Sequence, residues 1–301
     1  MILVSSVYKF EYFLNIMLEQ ELSHKIYDVL TSRRFRCGPR PDKRKDKIAG
    51  QIGNRKEGDP VEVLLGWGGY KNPNLKVDCA DIAEEATLGQ LSRLNEAVKD
   101  VYPPGINVHI VLSGKRAERV NRMPPERTLA YQKSLEMLLE CCNYPFIDII
   151  PISELYDEFS LEFEPKLAEV NERLAGILPI ESSFGTLLEH AMGNVYLDEK
   201  DMTERDALCR KAAIDYVVFK VAEDEARIYR GFSQSVKSAF AYPAMGHARY
   251  VEGELVPPRD SHISLYTTSK GVIVQPWQAI GVSEGGRVIC LTKKRIAYLI
   301  Q

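Results

Sequence analysis

A chain of 301 residues, 45% of them apolar and 27% charged, can bury a substantial core, either as one large α/β domain or as two smaller ones. A net charge of −3 gives no general pull toward nucleic acid or anionic lipid. No uninterrupted apolar run reaches the roughly 20 residues a membrane span needs, so neither a membrane nor a nucleic acid is expected as partner.

Met1 to Met17 is interrupted by Lys9 and Glu11 and shows no cleavage site, so it does not read as a signal peptide. Phe10 to Leu30 has helical spacing, with Phe13, Ile16, Met17, Leu22, Ile26 and Leu30 on one face. The one strongly basic stretch follows, Ser32 to Lys47, with eight basic residues against Asp42 and Asp46. A short helix near Asp46 to Ile52 and the turn at Gly58, Asp59 and Pro60 lead to a buried strand, Val61 to Leu65, which stops at Gly66, Gly68 and Gly69. The loop beyond carries Trp67, Tyr70, Lys71, Asn72 and Asn74.

Asp81 stands where a helix N-cap belongs, and Glu84 lies three positions on in capping-box spacing. Ile82, Ala86, Leu91, Leu94, Val98 and Val101 then share a helical face, and Pro103, Pro104 and Gly105 end the helix. Val108 to Leu112 forms a second strand, parallel to the first because a helix joins them. It runs into a polar loop with Ser113, Lys115, Arg116, Arg119 and Asn121. In an open α/β sheet ligands bind beyond the carboxyl ends of the strands, so both loops should edge one cleft. Their aromatic, cationic and amide groups suit a small anionic ligand such as a sugar phosphate, a nucleotide or an amino acid.

Pro124 and Pro125 open a helix to about Cys142, with Leu129, Leu135, Leu138 and Leu139 inward, and Phe146 to Ile150 is a third strand. Its loop brings Ser153, Glu154 and Tyr156 to the same sheet end. Glu154 to Glu172 reads as an acidic helix broken at Ile177 to Pro179, and residues 183–237 read as helical, placing Tyr216, Phe219, Val221 and Ile228 inward. The tail, HISLYTTSKGVIVQPW and RVICLTKKRIAYLI, alternates and is β-branched, as strands extending the sheet in a mixed or antiparallel sense would be. The expected fold is α/β, with a mostly parallel central sheet extended by C-terminal strands. Residues 1–45 form an N-terminal helical and basic segment, and 46–301 a single α/β catalytic domain with a helical insertion at about 154–240.

The chain has no GxGxxG after a strand, Walker lysine loop, HExxH, CxxC or GxSxG, and GWGGYK fits neither dinucleotide nor P-loop spacing. Cys37, Cys79, Cys141, Cys142, Cys209 and Cys290 lack metal-ligand spacing, so no metal is expected and the thiols read as those of a cytoplasmic protein, with Cys141 and Cys142 as helix packing. His109 in mid-strand reads as a satisfied histidine, while His247 and Arg249 in YPAMGHARY are exposed ligand candidates. Lys71 is either a solvated lysine or, beside apolar neighbours, a base or phosphate contact. Glu84 reads first as a capping residue, and Arg116 and Arg119 as either an anion clamp or a solvated face.

In order, these pieces resemble the isocyanide (isonitrile) synthase family, also called the pyoverdine/dityrosine biosynthesis family. The resemblance rests on YKNPN after an apolar strand, DIAEEATLGQL, YPPG, HIVLSGKRAERVN, SELYD, and late HISLYTTSKGVIVQPWQAIGV with its Pro-Trp element. It covers residues 46–160 and, more weakly, 225–282. Gly114 and Lys115 follow Ser113 where the family commonly has an acidic residue, RDSHISLY replaces an Arg-x-Ser-Ile-His element, and Gln278 follows Trp277 where histidine is usual, so the chain resembles a divergent member.

The resemblance implies a Rossmann-like three-layer α/β fold and condensation of an amino acid α-amine with the ketone of ribulose 5-phosphate to give an isonitrile, without nicotinamide, metal or other cofactor. It implies Lys71, Glu84 and Ser113 as catalytic residues. Trp67, Tyr70, Asn74, Arg116, Asn121, Arg230, His247, Arg249 and Trp277 would contact substrate. Two alternatives stay open: another transferase using a nucleotide, sugar-phosphate or aminoacyl donor, and a non-catalytic RNA-binding protein using residues 32–47. The sequence leaves open whether the protein is a homo-oligomer.

Overall fold

The computed structural model describes residues 17–32, 34–35, 45–75, 77–180, 184–232, 235–239, 249–251, 254–256, 279–284, 287–292 and 297–299, with strand residues after Val236 as backbone only. Helix α1 covers residues 17–30 and α2 Lys45–Gly53. Strand β1 (Val61–Trp67), helix α3 (Ile82–Lys99), strand β2 (Ile106–Leu112), helices α4 (Gly114–Asn121) and α5 (Pro125–Cys142) and strand β3 (Ile147–Pro151) follow. A helical stretch of α6 (Ile152–Glu158), α7 (Ser160–Leu174), α8 (Phe184–Asn194) and α9 (Arg205–Glu225) precedes strand β4 (Val236–Ala239). The short strands β5 (Arg249–Val251), β6 (Glu254–Val256), β7 (Ala279–Glu284), β8 (Arg287–Thr292) and β9 (Ala297–Leu299) complete the described chain.

The central sheet has four strands in the order β3-β2-β1-β4, all parallel. Strand period sorts side chains to two faces. Val61, Val63, Leu65 and Trp67 of β1 and Ile106, Val108, Ile110 and Leu112 of β2 pack on α1 through Ile26, Tyr27 and Leu30, on α3 through Leu88, Leu91 and Leu94, and on α5 through Tyr131 and Leu135. Leu64 and Val111 face the opposite way, onto Phe163 and Val170 of α7 and Val217, Val218 and Val221 of α9. Helices on both faces of a parallel sheet make the three-layer α/β fold that the strand–helix–strand pattern predicts. Each fully buried aliphatic side chain contributes on the order of 1.5–3 kcal/mol to holding the layers together.

Helix α3 begins as its sequence requires. Asp81 accepts from the Ala83 N–H at 2.8 Å, and Glu84 reaches back to the Asp81 N–H at 2.9 Å. Strand order reverses between β1 and β4, since β2 and β3 add on one side of β1 and β4 on the other. The crevice of such a sheet lies at the carboxyl ends of the strands flanking that reversal, here beside Trp67.

Several expectations change. The polar segment after Ser113 is helix α4, not a loop. The helical reading of residues 183–237 holds only to Glu225 in its last long helix; Val236–Ala239 is a strand, because a four-residue segment, Val-Lys-Ser-Ala, is too short for its period to tell the two apart. Leu129 is 49% exposed because the inward stripe of α5 runs through Thr128, Tyr131 and Leu135, one position off it. Cys141, at the end of α5, is exposed rather than packed. The strand that extends the central sheet from the C-terminal side is β4. The tail strands are antiparallel, as expected, but pair among themselves as β5-β6 and β7-β8-β9, with β7 and β8 lying along α3. The segment 262–277, expected to be strand, and most of the basic stretch, including 36–44, lie outside the described residues. No described helix is long and apolar enough to cross a membrane.

Candidate active site

The loops leaving β1 and β2 are locked together at the carboxyl end of the sheet. Gly69 sits so close to the start of α4 that a Cβ there would lie 2.0 Å from the Gly114 nitrogen. Only a glycine allows the two backbones to approach this closely. Ser113 reinforces the junction: its N–H and its hydroxyl both donate to the Trp67 carbonyl, at 3.0 and 2.7 Å. The hydroxyl is therefore not capping α4, whose N-cap makes no side-chain hydrogen bond.

One cluster hangs from the β1 loop. Lys71 is completely buried, and its Nζ lies 2.7 Å from Glu84 Oε2 and 3.1 Å from Asp81 Oδ2. Glu84, also completely buried, accepts three donors: Lys71 and the Asp81 N–H on Oε2, and the Tyr131 hydroxyl on Oε1 at 2.9 Å. Tyr131 in turn accepts from the indole N–H of Trp67 at 2.9 Å. Burial pushes the Glu84 carboxyl up from the usual 4.5 to about 7, against the pull of Lys71. A carboxyl titrating there can exchange a proton at physiological pH. Asp81 is 21% exposed and forms the solvent edge of this cluster.

The second cluster lies across Ser113. The Arg116 guanidinium donates from Nη2 to the Ser113 hydroxyl at 2.8 Å and from Nη1 to both oxygens of Glu223 at 2.8 and 2.9 Å. Glu223, on α9, also accepts from Tyr156 at 2.7 Å, Lys220 at 2.8 Å and Tyr229 at 3.2 Å. Burial alone would raise this carboxyl. Arg116 and Lys220 outweigh that and hold it down at about 2. Burial lowers the pKa of Lys220, and it raises those of Tyr156, Tyr216 and Tyr229. With Lys220 protonated, two cations share the Glu223 carboxylate, with Asp224 also acting on Lys220, and both cations keep a small exposed fraction, Arg116 14% and Lys220 13%. A surplus positive charge at a partly open edge attracts phosphate or carboxylate.

The profile of the pyoverdine/dityrosine biosynthesis protein family matches residues 55–246, a span that holds both clusters. The chain belongs to that family. Its fold is similar to that of the PvcA protein from Pseudomonas aeruginosa, with a TM-score of 0.59, 18% sequence identity and 84% of each chain covered. No curated protein matches it significantly in sequence. Membership makes this a biosynthetic protein of the pyoverdine/dityrosine type, an enzyme family of specialised metabolism acting on small molecules.

Within this family member, Lys71 and Glu84 come together as direct partners, and Ser113 and Arg116 join them through Trp67. Tyr70 and Asn121 meet each other, the amide donating to the phenol at 2.7 Å. Asn74 donates to Asn72 Oδ1, and both amides reach the Gly193 carbonyl at the end of α8, at 3.3 and 2.9 Å, which ties the β1 loop to the helical insertion. Arg230 joins neither cluster among the described contacts. It stacks over Phe159 at 4.0 Å and reaches Glu162 at 3.4 Å. Arg249 supplies backbone to β5, opposite Val256, while His247 and Trp277 lie outside the described residues. His109 is satisfied, as expected, but only half buried, between Asp148 and Glu62. Arg119 pairs with Glu164 at 2.7 Å.

Sequence reasoning missed Glu223, Lys220, Tyr131 and Tyr229. A signal for the first two exists: Tyr216, Lys220 and Glu223 recur at gaps of four and three on the stripe that also carries Phe219, so two charges fall where a buried helix face should be apolar. Among the described residues no cluster of His, Cys, Asp and Glu is arranged to hold a metal ion.

Proposed function

We propose that the protein is an isonitrile synthase-like enzyme condensing an amino acid α-amine with ribulose 5-phosphate. The amine adds to the ketone carbon, water leaves to give an imine, and both C–C bonds of that carbon then break, one side leaving as formaldehyde and the other, with loss of a second water, as a phosphorylated three-carbon aldehyde, so that the carbon stays on the nitrogen as the isonitrile. These steps need a group that takes and returns protons and a group that holds the anionic ends of the substrates. In this reading Lys71 and Glu84 supply the first, Arg116 and Lys220 the second, and Ser113 sits between them. Trp67, Tyr70, Asn74 and Asn121 keep the loops in register, and the catalytic unit is residues 46–301.

The observation that carries the reading is the buried Lys71–Glu84 pair, 2.7 Å apart, at the carboxyl end of the parallel sheet. Family membership supports the chemistry class. The test is incubation of the purified protein with candidate amino acids and ribulose 5-phosphate, with mass spectrometry for the isonitrile product. Product that disappears in Lys71→Ala is expected. Absence of product with every amino acid overturns the reading, and product undiminished in Lys71→Ala removes Lys71 from it.

A further inference from the structure

Tyr131 is a completely buried titratable group with no part in the steps above, yet it joins Trp67 to Glu84. The direction of that connection is fixed by chemistry. An indole N–H only donates, so the 2.9 Å contact from Trp67 Nε1 makes the Tyr131 oxygen an acceptor and turns the phenolic hydrogen away from Trp67. The atom it reaches is Glu84 Oε1, at 2.9 Å. Oε1 thus takes the phenolic hydrogen, and Oε2, which also accepts the Asp81 N–H at 2.9 Å, is the oxygen that faces the Lys71 amine at 2.7 Å.

We propose that Tyr131, oriented by Trp67, is a positioning residue for the Lys71–Glu84 pair: it keeps Glu84 Oε1 as an acceptor, so the proton this carboxyl takes up sits on Oε2, directed at Lys71. The exchange is a single proton transfer. Ammonium and carboxylate become neutral amine and carboxylic acid, with the N–H bond of Lys71 broken and the O–H bond of Oε2 formed. The titratable groups facing Glu84 are Lys71 from the β1 loop, Asp81 at the N-cap of α3 and Tyr131 from α5. Asp81 Oδ2 lies 3.1 Å from the same amine and is a second acceptor for it. The catalytic meaning of the assignment rests on the condensation reading, but its test does not.

The side-chain carboxyl carbon of Glu84 is followed by 13C NMR through a pH titration, its resonance assigned by its loss in Glu84→Gln. Tyr131→Phe removes a donor to the charged form and is expected to raise the Glu84 midpoint by about one pH unit, a tenfold weaker acid. Trp67→Phe, which frees the hydroxyl to turn, is expected to shift it the same way by less, and it carries the test if Tyr131→Phe does not fold. A merely structural role lowers stability and leaves the midpoint in place, and an unmoved midpoint in a folded variant overturns the proposal. If the midpoint moves and no amino acid is turned over, the positioning assignment stands and the condensation reading fails. If product forms while the midpoint stays fixed, the reverse holds.

Discussion

Glu223→Gln keeps the shape of the side chain and removes its charge, leaving Arg116 and Lys220 without their carboxylate. The Glu223 carboxyl is held at about 2 against the usual 4.5, so its ionised form favours the folded chain by about 3 kcal/mol. The sign follows from a lowered pKa: this stability is fully present above the unfolded value of 4.5 and is lost as pH falls from there toward 2. Loss of one partner from a buried pair costs a similar 3–5 kcal/mol or so. At roughly 2.1 cal/mol/K per residue, the unfolding entropy of 301 residues converts about 3 kcal/mol into about 5 °C of Tm. Urea unfolding of both proteins at pH 7 and pH 3 is the assay. The gap between them is expected to shrink from about 3 kcal/mol to about 1 kcal/mol, because at pH 3 the glutamate of the unfolded chain has taken up a proton while the folded one still holds most of its charge. An equal gap at both pH values would refute the electrostatic account.

Two further outcomes follow from local geometry. Gly69→Ala places a methyl against the backbone of Gly114 and is expected to destabilise the protein by about 3 kcal/mol in chemical denaturation, whereas Gly66→Ala, with open space at the same atom, should leave stability nearly unchanged. Asp148→Asn removes the hydrogen-bonding carboxylate that chiefly raises the His109 pKa, so the His109 midpoint in an NMR titration is expected to fall. Since a raised histidine pKa stabilises the fold below its unfolded value near 6.5 and that stability is lost as pH rises through the folded midpoint, the variant should also lose less stability on going to alkaline pH.

The sheet was legible because its signals are local. Apolar runs bounded by glycine and proline mark β1 and β2, and the Asp81–Glu84 spacing marks the start of α3 to the residue. The strand–helix–strand order then brings Lys71 and Arg116 to one end of the sheet without further information. What the sequence hid is long-range. Tyr131 lies 47 residues from Glu84, and Glu223 lies 107 from Arg116. No period links such positions: a tyrosine in an amphipathic helix announces no buried partner, and the stripe that puts Glu223 on a buried helix face does not say that Arg116 meets it. The strand at Val236 was hidden for a different reason, since a four-residue segment yields too few repeats for periodicity to decide.

The two glutamates also show why burial alone does not assign a role. Both are enclosed at the same sheet end, and burial opposes the charge of each. Glu84 has Lys71 as its cation, with Asp81 competing for that amine, and settles at about 7. Glu223 has both Arg116 and Lys220, with two tyrosine hydroxyls besides, and settles at about 2. Carboxyls driven apart in this way can divide the work: in the proposed reading Glu84 exchanges protons near neutral pH and Glu223 remains a fixed anion that orients its cations. In the proposed reading, a substrate phosphate or carboxylate arriving at Arg116 and Lys220 would meet a guanidinium already held in place by Glu223, so that little ordering cost would fall on the binding step. Glu223→Gln should therefore weaken the retention of an anionic substrate while leaving the titration of Glu84 where it is, and a change in both would mean that the two clusters act as one.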